Sequence, residues 1–411
     1  MKTIFKIDEL TIILLVSFIT RLIIAYFYSQ ETIGNEWNTL LHNYETTGTV
    51  GLFISLSEFS AIDKLAESGE KVLPSAFMPP LYFYFIYVIK FLFSNILNFV
   101  DVIIFFQIIL SLVSIYFFFK ILNFLGTTKI LILPFVSIFA FFPIYVYSAI
   151  RISSITIQIF LFLGFIYFLI RLNQKNDTKF LIYFSIFSGL LILTRGEFYL
   201  FYLLTIFYFF LFFKKKIKNL FVSLIISLLI ISPYIYRNYL NFDAIVLTKS
   251  VGFNLLKGNN PSFIVEGNSD FIINNFSSEN IKINTDNNYE IKLDDFYRDQ
   301  AINYIKNNPN DYLKFYFKKV FSFIFFDLNS SYDNYYNPLH IFPKILLSIL
   351  GLTGAILCLR KKGFFQFISL YYFANIFLFS IFFILPRYSI ILLPINLLLI
   401  IEMINFFRRK F

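Results

Sequence analysis

Apolar and polar residues fall along this chain in long blocks. Predominantly apolar runs lie near 10–28, 75–98, 101–123, 129–149, 152–171, 179–194, 197–213, 219–236, 340–359, 364–385 and 389–406. A helix needs about 20 such residues, rising 1.5 Å each, to cross ~30 Å of hydrocarbon. A membrane β-barrel would show alternation over ~10-residue segments instead, and none is visible. The blocks predict an all-α polytopic membrane protein of about 10–12 transmembrane helices with two extracytoplasmic loops. Three modules follow: 1–237, transmembrane with an external loop 29–78; 238–339, extracytoplasmic with an interfacial helix; and 340–411, transmembrane.

Composition agrees with the pattern. The chain is 58% hydrophobic with a mean hydropathy of +0.71, and only 15% of it is charged, against about 25% in soluble domains. A net charge of +10 raises the question of nucleic acid, and its distribution answers against it. Segments 29–72 and 238–312 hold 17 of the 25 acidic residues and 8 of the 35 basic ones. Basic residues gather at Lys214-Lys215-Lys216 with Lys218, at Arg360-Lys361-Lys362 and at Arg408-Arg409-Lys410. That asymmetry puts the basic clusters and both termini in the cytoplasm and both acidic loops outside it. Residues 10–28 are too long for a signal-peptide core and have no small-residue cleavage site, so they read as a retained first helix. Cys358 is the single cysteine, which excludes an intramolecular disulfide.

Counting crossings exposes a conflict. Seven apolar segments separate the two acidic loops, and an odd number cannot return a chain to the same face. One of them therefore does not fully cross: the Pro-led 75–98 region, or one of the short pair 129–149 and 152–171. Ten crossings are expected in total, with 313–327 lying along the interface. In 238–312 a short helical pattern is visible around Phe296–Asn307.

Motifs of soluble enzymes are absent: there is no phosphate-binding loop, dinucleotide fingerprint, nucleophile elbow or Cys/His metal cluster. His42 and His340 stand far apart in sequence. The candidates for chemistry are charges near the outer membrane face, where burial of charge is costly. Glu36 follows the first helix by eight residues, beside the only tryptophan, Trp37, an anchor at headgroup depth. A carboxylate there can accept a proton from an incoming hydroxyl, or it is one solvated loop acid among seven. Pro79-Pro80 marks a helix start. Arg195 and Glu197 interrupt an apolar stretch; on a helix such i, i+2 residues do not face each other. Arg195, Arg237 and Arg387 share the outer level, with Arg151 depending on the unresolved crossing. Each either snorkels or binds a phosphate bidentately.

These motifs, in order along most of the chain, resemble a family. Glu36-Trp37 with Gly48, then Met78-Pro79-Pro80-Leu81-Tyr82, is similar to the first external loop and the start of the second helix in GT-C-fold membrane glycosyltransferases. The protein O-mannosyltransferase and aminoarabinose transferase groups belong there, with uncharacterised bacterial relatives. Thr194-Arg195, Ser232–Tyr239, Ala301–Leu313 and Arg387-Tyr388 resemble further stretches, and Gly252–Pro261 is the most specific. The resemblance implies an inverting transfer of a hexose or pentose from a polyprenyl-phosphate donor to a lipid, glycan or protein acceptor. The site would face outward from the cytoplasmic membrane of the cell envelope. It implies Glu36 as the base, a position usually held by aspartate, with Glu31 as the fallback. Tyr82, Arg195, Arg237, Lys257, Asn259, Asn260, Arg387 and Tyr388 would hold the donor, the arginines offsetting charge on the departing phosphate. No cofactor is certain: some members use a divalent metal, and no ligand set here is convincing. Two other classes compete. An O-antigen polymerase or ligase would carry its arginines within one large external loop, where 238–312 has only Arg298. A lipid flippase or transporter would show midplane charges and internal repeats.

Overall fold

The computed structural model describes residues 8–54, 72–175, 177–212, 217–276, 283 and 286–410. Glu58, Asp63, Glu67, Glu70 and the basic run Lys214, Lys215 and Lys216 lie outside the described residues. Helix α1 (Glu9–Tyr28) starts where the Asp8 carboxylate accepts the Thr11 N–H, and it ends at the polar segment. Two elements then precede a two-residue antiparallel pair, β1 (Phe53–Ile54) with β2 (Val72–Leu73): helix α2 (Asn35–Thr47) and its Gly48 cap. Pro79 and Pro80 open α3 (Pro80–Phe93), where a missing N–H costs nothing. Then come α4 (Phe99–Phe124), α5 (Lys129–Phe141), α6 (Pro143–Ile150), α7 (Ile155–Gln174), α8 (Thr178–Thr194), α9 (Phe198–Phe212) and α10 (Ile217–Phe242). The second polar segment holds α11 (Val251–Gly258), α12 (Ser269–Asn275), α13 (Tyr289–Asn307) and α14 (Pro309–Ile324). Helices α15 (Pro338–Leu359) and α16 (Phe364–Phe379), a 3-10 turn at Pro386–Ile391 and α17 (Leu392–Lys410) complete the chain.

Among the described residues, six helices are long and apolar enough to cross a membrane, or seven if α5 and α6 form one span bent by 49°. Side-chain contacts sort the helix ends into two levels. At one end, Gln30 Oε1 accepts the Ile152 N–H (2.8 Å) and Gln107 Nε2 donates to the Arg151 carbonyl (2.8 Å). At the other, Gln174 Nε2 donates to the Phe124 carbonyl, Arg408 reaches Thr128, Tyr208 donates to the Gly363 carbonyl, and Lys361 pairs with Glu402 at 2.6 Å. Helices α8, α9 and α16, with 17, 15 and 16 residues, are shorter than those six yet still join the two levels.

These levels resolve the parity conflict in favour of the 75–98 region. Helix α3 has 14 residues and folds back beside the first turns of α4. Tyr82 donates to Gln107 (2.8 Å), Lys90 lies 5.4 Å from the Phe99 ring, and Phe93 packs on Phe106. Both ends of α3 thus sit against residues 99–107, at the level of the polar loops, and α4 makes the passage. Helix α3 lies side by side with α2 through Trp37–Tyr82, Tyr44–Phe83 and Tyr44–Tyr87 ring contacts and a 2.7 Å Lys90–Glu45 ion pair. The pair 129–149 and 152–171, also suspected above, joins the two levels: α5 and α6, bent by 49°, lead from Thr128 beside Arg408 to Arg151 beside Gln107, and α7 returns.

The break in that span exposes backbone that must find partners, since hydrocarbon supplies none. At Phe142-Pro143 the α-helical ladder stops, and the Ala140 carbonyl accepts from Arg21 Nη2 at 3.0 Å. Arg21 is fully buried in α1, also bonded to Ser17 and lying 5.3 Å from the Tyr145 ring. Here a buried arginine satisfies a broken helix.

Candidate active site

The polar segments meet at one end of the bundle because long-range bonds fasten them there. Arg237 Nη1 donates to the Ser75 carbonyl (2.8 Å) and Nη2 to the Val50 carbonyl (2.9 Å), clamping both ends of the first loop to α10. Glu290, at the start of α13, accepts the Ala76 N–H at 2.7 Å and shares a 2.5 Å hydrogen bond with Ser75 Oγ. Burial pushes its carboxyl up to about 8, against the pull of Ser75 and Ala76. Asp294 accepts the Phe253 N–H at the first turn of α11, and a small core of Leu256, Ile272, Leu293, Tyr297 and Ala301 joins α11, α12 and α13. Helix α13 begins at Tyr289, earlier than the 296–307 pattern, because the acids that make 289–295 look like loop are used for this docking.

Residues 257–267 then pack on the 381–388 turn. Gly258 and Gly267 permit the approach: a Cβ on Gly258 would meet the Phe383 backbone nitrogen at 2.6 Å, and one on Gly267, with φ +82°, would meet Lys257 Cγ at 2.8 Å. Lys319 of α14 closes the joint, donating to the Gly258 and Ile381 carbonyls (3.2 Å each) and to Asn259 Oδ1 (2.8 Å). Burial pulls that ammonium down to about 7.

Around this joint stands a cluster of cations. Tyr388 is flanked by the Arg195 guanidinium at 4.9 Å and that of Arg387 at 5.9 Å, and its ring packs on Phe383 at 5.8 Å. Lys257 Nζ lies 4.8 Å from the Phe383 ring. Desolvation lowers the Lys257 pKa most; Glu36 raises it, Arg387 lowers it and Asp270 raises it. Lys257 thus senses the charge of Glu36, on the first turn of α2, as well as that of Arg387. Glu36 itself is exposed, while Trp37 packs edge-on to Tyr82 at 5.0 Å and orients the turn. Among the described residues, neither Lys257 nor Arg387 forms an ion pair. An exposed carboxylate can accept a proton, and cations without ion pairs can hold an anion.

Several candidates have other partners. Arg237 is spent on the loop carbonyls. Asn259 and Asn260 are buried, donating to the Leu255 and Ile381 carbonyls and to the Leu256 and Lys257 carbonyls. These bonds shape the Lys257 turn. Tyr82 is buried with its hydroxyl on Gln107, so it supports Trp37. Arg195 and Glu197 do pair, at 3.2 Å, contrary to the helical expectation. The reason is local: Arg195 is extended (φ −148°, ψ 109°), and the chain turns at Gly196 before α9. Glu31 is exposed in a bend, and Arg151 lies over Tyr147 at 4.7 Å. Sequence reasoning missed Lys319, Glu290 and Phe383, whose roles depend on partners far along the chain. Among the described residues no three His, Cys, Asp or Glu side chains converge as metal ligands, and no step here is routed through a metal.

No family model matches the chain, and no curated protein matches it. Among solved structures it is similar to the archaeal oligosaccharyltransferase AglB from Archaeoglobus fulgidus, determined with an inhibitory peptide and a dolichol-phosphate. The TM-score is 0.53 at 13% identity, over 97% of this chain and 51% of that one. The chain therefore spans about half the length of that protein. At this identity the likeness establishes the fold: an all-α, multi-pass membrane architecture of the GT-C type.

Proposed function

We propose that the chain is a GT-C-type glycosyltransferase. In this reading it moves a sugar from a polyprenyl-phosphate carrier to an acceptor hydroxyl or amide at the outer face of the cytoplasmic membrane. The observation that carries the reading is Lys257, beside Phe383 and Tyr388, which senses the charge of Glu36 on the first polar segment and of Arg387 on the other side of the joint. The acceptor oxygen or nitrogen attacks the anomeric carbon from the face opposite the phosphate. The bond from that carbon to the phosphate oxygen breaks, the polyprenyl phosphate leaves, and the acceptor proton passes to Glu36. Lys257 and Arg387, with Arg195 behind Tyr388, offset charge gathering on the departing phosphate. The dolichol-phosphate bound by the similar archaeal enzyme is a carrier of the class proposed.

The experiment is sugar transfer. Membranes containing the chain are incubated with labelled polyprenyl-phosphate hexoses and pentoses, and label is followed into lipid, glycan and protein fractions. Label should move from one of these donors to one fraction, and Arg387→Ala with Lys257→Met should weaken donor binding by about tenfold or more, the scale of losing charge-assisted hydrogen bonds. Unchanged donor affinity in that double variant would contradict the phosphate assignment.

A further inference from the structure

The chain between α14 and α15 makes a firmly held turn, and it carries one aromatic ring that the fold does not use. The turn runs Asp327-Leu328-Asn329-Ser330-Ser331-Tyr332-Asp333-Asn334-Tyr335-Tyr336-Asn337, without a basic residue or a glycine. Glu266 fastens its middle: the carboxylate accepts from Ser330 Oγ, from the Ser331 N–H at 2.9 Å and from Ser331 Oγ at 2.6 Å. Two tyrosines hold the rest. The Tyr335 hydroxyl accepts the Asp327 N–H at 2.8 Å, and the Tyr336 hydroxyl accepts the Ser330 N–H at 2.7 Å. The Tyr332 and Asn334 carbonyls accept the Tyr335 and Asn337 N–H groups at 3.2 and 3.1 Å. Asn334 lies at φ +56°, a conformation that asparagine tolerates better than most residues.

The anchor ties this turn to the joint that carries Lys257 and Arg387. The Val265 carbonyl accepts the Ile384 N–H at 2.8 Å, Gly267 packs on Phe383, and Glu266 between them lines a cleft with Leu385 and Pro386. Tyr332 follows the anchored Ser331 directly, one step of about 3.8 Å between Cα atoms. Its side chain is left bare: the residue is 46% exposed, and among the described residues its hydroxyl has no hydrogen bond and its ring no ring partner. Desolvation raises the Tyr332 pKa most; Arg387 lowers it, while Glu266 and Tyr388 raise it. The Arg387 charge thus acts on Tyr332 as it does on Lys257.

An aromatic ring on a fixed turn suits a ligand with one apolar face and a polar rim, because its face is electron-rich and few rotamers are lost on contact. A sugar ring is such a ligand: its C–H bonds make a face apolar while its hydroxyls point outward. We propose that Tyr332 stacks on the sugar ring of the lipid-linked donor and so takes part in selecting the sugar. This inference rests on the reading of the chain as a polyprenyl-phosphate-dependent glycosyltransferase. Lys257 and Arg387 serve the phosphate, which all such donors share; Tyr332 serves the part that differs among them. Glu266 is then a positioning residue, acting through the turn that it holds.

The test measures binding to the full chain in phosphatidylcholine nanodiscs, with no acceptor present. The probes are farnesyl phosphodiesters of several hexoses and pentoses, and farnesyl methyl phosphate, which has the same single charge and no sugar. Wild type should bind at least one glycosyl diester about tenfold or more tightly than the methyl diester, the scale of covering one aromatic face. Tyr332→Ala should remove most of that preference and leave the methyl diester affinity unchanged, whereas Tyr332→Phe, which keeps the ring, should retain the preference. An unaltered preference in Tyr332→Ala would overturn the proposal and leave the phosphate assignment standing. Equal losses for sugar-bearing and sugar-free lipids would also overturn it, since the ring would then serve the fold, the bilayer or the prenyl chain. Binding of none of these lipids by wild type would contradict the glycosyltransferase reading itself, and the role of Tyr332 with it.

Discussion

Arg21 shows how one residue can look functional and be structural. An arginine in the hydrophobic interior is costly, yet this one answers a specific need, the Ala140 carbonyl left open where the span breaks. Arg21→Met should lower stability by about 1–3 kcal/mol, the cost of an orphaned buried acceptor, measured as thermal unfolding in detergent. Stability at or above wild type would show that the clamp is not needed. Glu290 behaves differently with pH. Its carboxyl has a value near 4.5 when unfolded and about 8 in the fold. The folded state therefore holds the proton more tightly, and stability from this group is complete below about 4.5 and lost as pH rises through about 8. Thermal midpoints should fall between neutral and mildly alkaline pH, with a flatter profile in Glu290→Gln; parallel profiles would remove Glu290 from the explanation.

At the scale of elements, most of the architecture was legible from the apolar blocks, since each holds a helix, most within a few residues of the expected bounds, with 129–149 split in two at Pro143. What could not be read was the direction of α3. A Pro-led apolar run looks like a span until it is known that Lys90 pairs with Glu45, forty-five positions away. The parity of the charge pattern demanded one such segment without naming it. Labelling decides the point, because the one native cysteine, Cys358, is buried. A cysteine at Ser94, just after α3, should react with a membrane-impermeant maleimide from the same side as one at Thr46 on α2. Reaction only after permeabilisation would mean that α3 crosses. The candidate site was legible to a lesser degree. Lys257 senses Glu36 and Arg387, whereas Arg237 and Asn259 are held by distant carbonyls that no local pattern could reveal. The Arg195–Glu197 pair was hidden because it depends on the helix ending there.

Over the whole molecule, the bundle serves to bring two polar segments to one level. The first is clamped by Arg237 and Glu290, the second by Lys319, and Lys257 of the second senses the charge of Glu36 on the first. The reading of this arrangement as an enzyme rests on Glu36 taking a proton. The most direct measurement is transfer from a labelled polyprenyl-phosphate sugar in membranes carrying wild type or Glu36→Gln at equal abundance. The expected result is a fall in rate by a factor of about 10² or more with donor binding retained, as for loss of a general base; wild-type transfer by Glu36→Gln would contradict it.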